Sequence, residues 1–175
     1  MKTNEIQKKL ADVALRYQSD ILNLQPLEQF ANSLQRADDV EVFHGLLTAF
    51  KESGYDGDGY FRQEVAGKMF VDRRPIPDMK IEDILAITAP NYNLSVEQLP
   101  WYLALAFGRD RFRDAVGSRL ADSNLTDREQ KSLDTYLYWT GISEEQILAE
   151  VGTNSTKKNK KPNKSEQATP RKLSD

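Results

Sequence analysis

Apolar residues recur along this chain at steps of three and four, which is the spacing of an amphipathic α-helix. The clearest stretch is residues 4–23, where Ile6, Leu10, Val13, Tyr17 and Ile21 share one helical stripe. No segment shows the convincing alternation of apolar and polar residues that a half-buried strand requires. We therefore predict an all-α fold, a compact bundle of about seven or eight short to medium helices.

Several helix ends can be predicted from local capping signals. The N-cap is the residue that directly precedes the first turn of a helix. In a capping box, the side chain of the N-cap and that of a glutamate or glutamine three residues later each accept the backbone N–H of the other residue. This spacing occurs at Asn4 with Gln7, Ser95 with Gln98, Thr126 with Glu129, and Ser143 with Gln146. Gly108 is predicted to separate two helices. Pro100 is predicted to bend the helix that begins near Ser95, because an interior proline removes one backbone hydrogen bond.

Charge divides the chain into two parts. Residues 1–152 carry 17 Lys and Arg against 25 Asp and Glu, a net charge of −8, whereas residues 153–175 carry seven against two, a net charge of +5. The second part has no aromatic residue and only Ala168 and Leu173 as apolar side chains, so it buries too little to fold. We predict a helical domain over residues 1–152 and a disordered Lys-rich tail over residues 153–175.

The chain has one histidine and no cysteine. This composition excludes thiol nucleophiles, disulfides and the zinc sites that use cysteine. The sequence also lacks a glycine-rich phosphate loop and a dinucleotide fingerprint, so no cofactor is expected. Glu41 and His44 have the spacing used in di-iron helical bundles, but such a centre needs two pairs of this kind, and one histidine supplies only one.

Residues 54–59 contain Asp56 and Asp58 among three glycines and resemble part of an EF-hand calcium loop. The resemblance fails at both ends of the loop. When the two aspartates take the third and fifth positions, Gly54 falls where an acidic ligand is needed and Val65 falls where a glutamate is needed. We therefore predict a flexible turn between helices and no metal site.

The chain has the composition of an ordinary soluble protein, with 39% hydrophobic and 29% charged residues. No apolar run approaches the roughly 20 residues that cross a bilayer. The N-terminus moves directly into an amphipathic pattern rather than into an apolar block with a cleavage site. We expect no membrane segment and a cytoplasmic protein.

Candidate binding residues come from arginines, one tryptophan and the tail. Arg109, Arg111 and Arg113 lie close together, as in basic surfaces that hold phosphates, although the aspartates between them are also typical of a solvated helix face. Trp139 belongs to an aromatic cluster, and tryptophan is common at binding hot spots. The tail adds four lysines that can neutralise phosphates: Lys157, Lys158, Lys160 and Lys161.

Together these features predict a non-catalytic protein-interaction module, such as an adaptor, inhibitor or immunity-type protein, whose acidic helical surface meets a basic protein partner. One alternative is a nucleic-acid-associated accessory protein that uses the basic tail and the arginine cluster. A second alternative is a hydrolase that uses carboxylates and His44, for which the separation of the carboxylates in space is decisive. The sequence leaves the oligomeric state open.

Overall fold

A computed structural model of the chain describes residues 1–52, 54 and 57–141. These residues form eight helices and no strand, which confirms the predicted all-α class. The helices are α1 (Thr3–Ser19), α2 (Gln25–Leu34), α3 (Asp39–Lys51), α4 (Asp58–Arg73), α5 (Ile81–Thr88), α6 (Gln98–Phe107), α7 (Arg109–Leu120) and α8 (Asp127–Trp139). Asp56, the capping box at Ser143 and the predicted tail lie outside the described residues.

The helices pack around α4, which contacts α1, α2, α3 and α6. Helix α1 also lies against α2 and α3, so α1, α3 and α4 contact one another and α2 packs on α1 and α4. Helices α6, α7 and α8 contact one another, and α5 joins them to α3. The α4 contact with α6 therefore connects the N-terminal half of the bundle to the C-terminal half.

Aromatic side chains fill the centre of this arrangement. The Phe70 ring of α4 stacks on Tyr102 of α6, with 4.5 Å between ring centroids. The same ring lies 6.0 Å from Phe43 and 6.3 Å from Phe50, both on α3. All four side chains are buried. Because they come from three helices, burying them couples α3, α4 and α6.

Two helix starts differ from those predicted. Helix α1 begins at Thr3, where the Glu5 carboxylate accepts the backbone N–H of Lys2, so the predicted box at Asn4 is wrong. Helix α6 begins at Gln98, with Glu97 rather than Ser95 at its N-cap position. Pro100 consequently lies in the first turn, where backbone N–H groups have no acceptor within the helix, and the predicted loss of a hydrogen bond does not arise.

Two other predicted helix boundaries are confirmed, and α1 ends earlier than predicted. The capping box of Thr126 and Glu129 starts α8, and Gly108, with φ of 85°, separates α6 from α7. Helix α1 ends at Ser19, four residues before the predicted end. Ile21 therefore lies outside the helix, and its side chain is exposed rather than part of the buried stripe.

The start of α1 is held by Glu41 of α3. Its carboxylate accepts the backbone N–H and the hydroxyl of Thr3, both at 2.6 Å, and pairs with Lys2 Nζ at 2.8 Å. The hydrogen bonds from Lys2 and then from Thr3 lower the pKa of Glu41 from 4.5 to about 2. The ionised carboxylate therefore links the first and third helices.

We expect Glu41→Gln to lower the melting temperature at neutral pH, because the neutral amide loses the ion pair and accepts weaker hydrogen bonds. Since the folded-state pKa lies below the unfolded value, the contribution is complete above pH 4.5 and disappears as the pH falls towards about 2. Melting curves of both proteins across this range test the expectation. A difference that stays constant with pH would contradict it.

Candidate binding surface between α7 and α8

Helices α7 and α8 form an antiparallel pair that is tied at both ends. At one end, the Arg109 guanidinium donates to the carbonyl of Gly141 at 3.0 Å, which joins the start of α7 to the end of α8. At the other end, Arg119 pairs with Glu129 at 3.4 Å and with Asp122 at 3.1 Å. These ties fix which residues of the two helices face each other.

An open depression lies between the two helices. Asp110, Arg113 and Asp114 of α7 line it together with Leu137 of α8. Asp110 and Asp114 are four residues apart on the same helix face, and both are exposed. In the described part of the chain, neither carboxylate has an ion-pair partner. The depression therefore holds two negative groups against one positive group.

An exposed aromatic side chain comes directly after Leu137 on α8, and its ring lies 5.1 Å from that of Trp139. This residue is Tyr138, and 72% of its surface is exposed. Asp134, also exposed, precedes Tyr138 by one helical turn. Tyrosine is enriched at protein interfaces relative to the rest of the protein surface. We use the name α7–α8 surface for these six residues: Asp110, Arg113, Asp114, Asp134, Leu137 and Tyr138.

Trp139, the predicted binding residue, faces the protein. Its indole Nε1 donates to the carbonyl of Leu94 at 3.1 Å, and its own carbonyl accepts from Trp101 Nε1 at 3.0 Å. Trp101 is buried and Trp139 is half-buried. The two tryptophans therefore attach the end of α8 to α6 and to the turn before it, while Tyr138 points outward.

The three predicted arginines have three different neighbours. Arg109 donates a hydrogen bond to the carbonyl of Gly141. The guanidinium carbon of Arg111 lies 5.6 Å from the centre of the Phe107 ring. Arg113 lines the depression. Phe112, which the arginines surround in the sequence, is buried. The structure thus brings Arg109 and Arg113 to the α7–α8 pair but does not form one basic surface from all three.

The other candidate residues are separated from one another. Glu41 bonds to Thr3, whereas His44 Nε2 lies 3.0 Å from the Asp78 carboxylate. No hydrogen bond among the described residues joins His44 to a hydroxyl group. Asp58 is the exposed first residue of α4. The described residues contain no group of three or more His, Asp or Glu side chains that could hold a metal ion.

The four candidate lysines of the tail, Lys157, Lys158, Lys160 and Lys161, lie outside the described residues. Of the helices that the structure describes, none has the length and apolar character required to cross a membrane. Comparison of the chain with protein families, with curated proteins and with solved structures finds no match.

Proposed function

We propose that this protein is a non-catalytic interaction module that binds a basic protein partner through the α7–α8 surface. The observation that carries the proposal is a pair of carboxylates at the depression, Asp110 and Asp114, which have no ion-pair partner among the residues that the structure describes. Like charges four residues apart on a helix repel each other by about 0.2–0.5 kcal/mol. A lysine or arginine of a partner that enters between them removes this repulsion and gains two charge-assisted hydrogen bonds.

The apolar members of the surface suit the same kind of partner. Lysine and arginine side chains pack their methylene groups on apolar surface while their charged ends stay with polar groups. Leu137 at the depression and Tyr138 beside it offer such a surface next to the carboxylates. A tyrosine ring also attracts a cation placed over its face. We therefore expect Tyr138 to contribute to affinity, and Asp110 and Asp114 to select a basic partner.

The charge of the depression favours a basic protein over nucleic acid. A phosphate brought to Arg113 meets the carboxylates of Asp110 and Asp114 on the same helix, and their repulsion opposes the single attractive contact. Arg109 donates to a backbone carbonyl instead of lying open to a phosphate. Nucleic-acid binding through the tail is the alternative that the experiment below separates from this proposal.

The two carboxyl groups whose pKa is lowered, Glu41 and Glu129, do not suit the proton-donor role in a carboxylate hydrolase. A hydrolase that works with two carboxylates needs one of them protonated near neutral pH, which requires a raised pKa. Hydrogen bonds from Thr126 lower the pKa of Glu129, and hydrogen bonds from Lys2 and Thr3 lower that of Glu41. Both groups are thereby held in the ionised form, which cannot donate a proton.

The proposal is tested by recovering partners of the full chain from its native lysate, with and without nuclease. We expect the double variant Asp110→Asn and Asp114→Asn to lose basic proteins that the unmodified chain retains. Tyr138→Ala should weaken the same complexes by about tenfold or more, as is usual for an aromatic hot spot. Quantitative mass spectrometry of the retained proteins, followed by titration of each purified partner, measures both effects.

A matched control removes the same charge elsewhere. Glu82 and Asp83 are an exposed acidic pair in the first turn of α5, and Glu82→Gln with Asp83→Asn should leave the retained proteins unchanged. The proposal fails if both double variants retain the same proteins as the unmodified chain. It also fails if nuclease abolishes the recovery, which would favour the accessory protein that binds nucleic acid.

A further inference from the structure

The described residues end beside the depression of the α7–α8 surface. The carbonyl of Gly141, the last of them, accepts a hydrogen bond from Arg109 at 3.0 Å. Asp110 is the next residue after Arg109, and Asp114 follows about one helical turn, or about 6 Å, further along α7. Leu137, which lines the depression from α8, precedes Gly141 by four residues. The chain beyond Gly141 therefore starts from the end of the helix pair at which the depression lies.

The α7–α8 surface has an excess of negative charge on both helices. Asp110 and Asp114 on α7 and Asp134 on α8 are all exposed, and Arg113 is the one basic member of the surface. None of the three aspartates forms an ion pair with another residue that the structure describes. A positively charged segment that reaches this surface therefore meets three carboxylates and one opposing guanidinium.

The sequence beyond Gly141 carries the complementary charge. Residues 153–175 contain seven Lys and Arg against two Asp and Glu, and the first acidic residue among them is Glu166. Four lysines fall together ahead of it, and we call them the lysine cluster: Lys157, Lys158, Lys160 and Lys161. The cluster has the charge that the α7–α8 surface lacks.

The lysine cluster is attached close enough to reach the depression. Fifteen residues lie between Gly141 and Lys157. A segment of this length spans about 24 Å as a helix and about 50 Å when extended. The path from Gly141 to Asp114 is one arginine side chain and about one helical turn, which is shorter than either span. Such a tether holds the cluster at the surface at an effective concentration of about 1 mM.

We propose that the lysine cluster binds the α7–α8 surface of its own chain and competes there with the basic partner. The competition rests on the proposed function, whereas the contact itself does not. Lysine ammonium groups beside Asp110 and Asp114 supply the same charge as the partner, and their methylene groups pack on Leu137. Exposed ion pairs are individually weak, so a partner that buries more surface displaces the cluster.

Zero-length cross-linking of the full chain tests the contact without a partner. A carbodiimide joins a carboxylate to a lysine amine when the two groups touch, and mass spectrometry of the digest identifies the pair. We expect links from the lysine cluster to Asp110 and Asp114 within single chains, at a yield that does not change with protein concentration. The ion pair of Lys2 and Glu41, at 2.8 Å, is the positive control.

The exposed acidic pair on α5, Glu82 and Asp83, is the matched control for specificity. Its yield of links to the lysine cluster should be severalfold lower than that of Asp110 and Asp114. Equal yields overturn the proposal, because they would show attraction to acidic residues in general. Absence of links to Asp110 and Asp114 also overturns it, as do links that form only between two copies of the chain.

The competition is measured with labelled decalysine as the basic probe, by fluorescence anisotropy. Lysine to glutamine changes at all four positions of the cluster are compared with a control that removes the same charge from the described chain: Lys8→Gln, Lys9→Gln, Lys51→Gln and Lys80→Gln. A cluster that binds as a free peptide with a dissociation constant of about 1 mM occupies about half of the surfaces at its effective concentration. We therefore expect the cluster variant to bind decalysine about twofold more tightly than the control.

The outcomes separate this contact from the proposed function. Equal affinities of the two lysine variants for decalysine overturn the competition. If Asp110→Asn with Asp114→Asn leaves decalysine binding unchanged, the proposed function fails, while the cross-links still establish the contact between the lysine cluster and the α7–α8 surface.

Discussion

Replacing Phe70 by alanine is expected to lower the free energy of unfolding by about 3–5 kcal/mol, the usual cost of removing a buried phenylalanine. Phe70 is completely buried in α4, the helix that contacts α1, α2, α3 and α6. Its ring lies against Tyr102, Phe43 and Phe50. Those rings belong to two helices, α3 and α6, which are held apart by their other contacts, so a cavity remains and adds to the lost burial.

Urea unfolding followed by circular dichroism measures this change, and the slope of the transition shows whether unfolding stays two-state. The matched control is Phe61→Ala, the same substitution on the same helix at a partly buried position. It should cost clearly less because less apolar surface and a smaller cavity are involved. Equal losses from the two variants would show that Phe70 does not lie at the centre of the core.

The helical class and most of the core could be predicted because both depend on local periodicity. Phe43 and Phe50 share a helical face in the sequence and are buried in the structure. The predicted end of α1 was wrong because a side chain competes there with the helix for backbone N–H groups. Asp20 accepts the N–H of Leu22, an alternative to helical bonding that the apolar spacing of Ile21 does not reveal. The Asp and Asn residues around this turn are the signal that could have indicated it.

The α7–α8 surface was predictable only in part. The arginines and aspartates of α7 were visible in the sequence, but Arg109 reaches Gly141 through the packing of two helices, which no local pattern encodes. Tyr138 and Trp139 are adjacent and differ by about 100° around the helix axis. Which of them faces outward depends on where Leu94 and Trp101 lie, and these residues are brought to α8 by the fold.

The second large expected effect concerns Gln63, a completely buried polar residue of α4. Its side-chain amide donates to the carbonyl of Asn91 at 2.7 Å and accepts the N–H of Asn93 at 2.8 Å. Gln63→Leu keeps a similar volume but removes both hydrogen bonds. Leaving a buried polar group without its partner costs about 1–3 kcal/mol. Because Asn91 and Asn93 are half-buried, we expect a loss of about 1–3 kcal/mol for the two bonds together.

The location of the damage distinguishes this effect from a general loss of packing. The segment between α5 and α6 loses the two bonds that attach it to α4, so the amide of Asn93 should exchange its hydrogen faster than amides at the centre of α4. Gln29→Leu, at an exposed position of α2, should change the unfolding free energy by less than about 0.5 kcal/mol. If exchange instead accelerates uniformly, or if Gln63→Leu is as mild as the control, the two hydrogen bonds do not hold this segment in place. The apolar contacts of Tyr92 and Val96, both buried beside it, would then be what attaches it to the core.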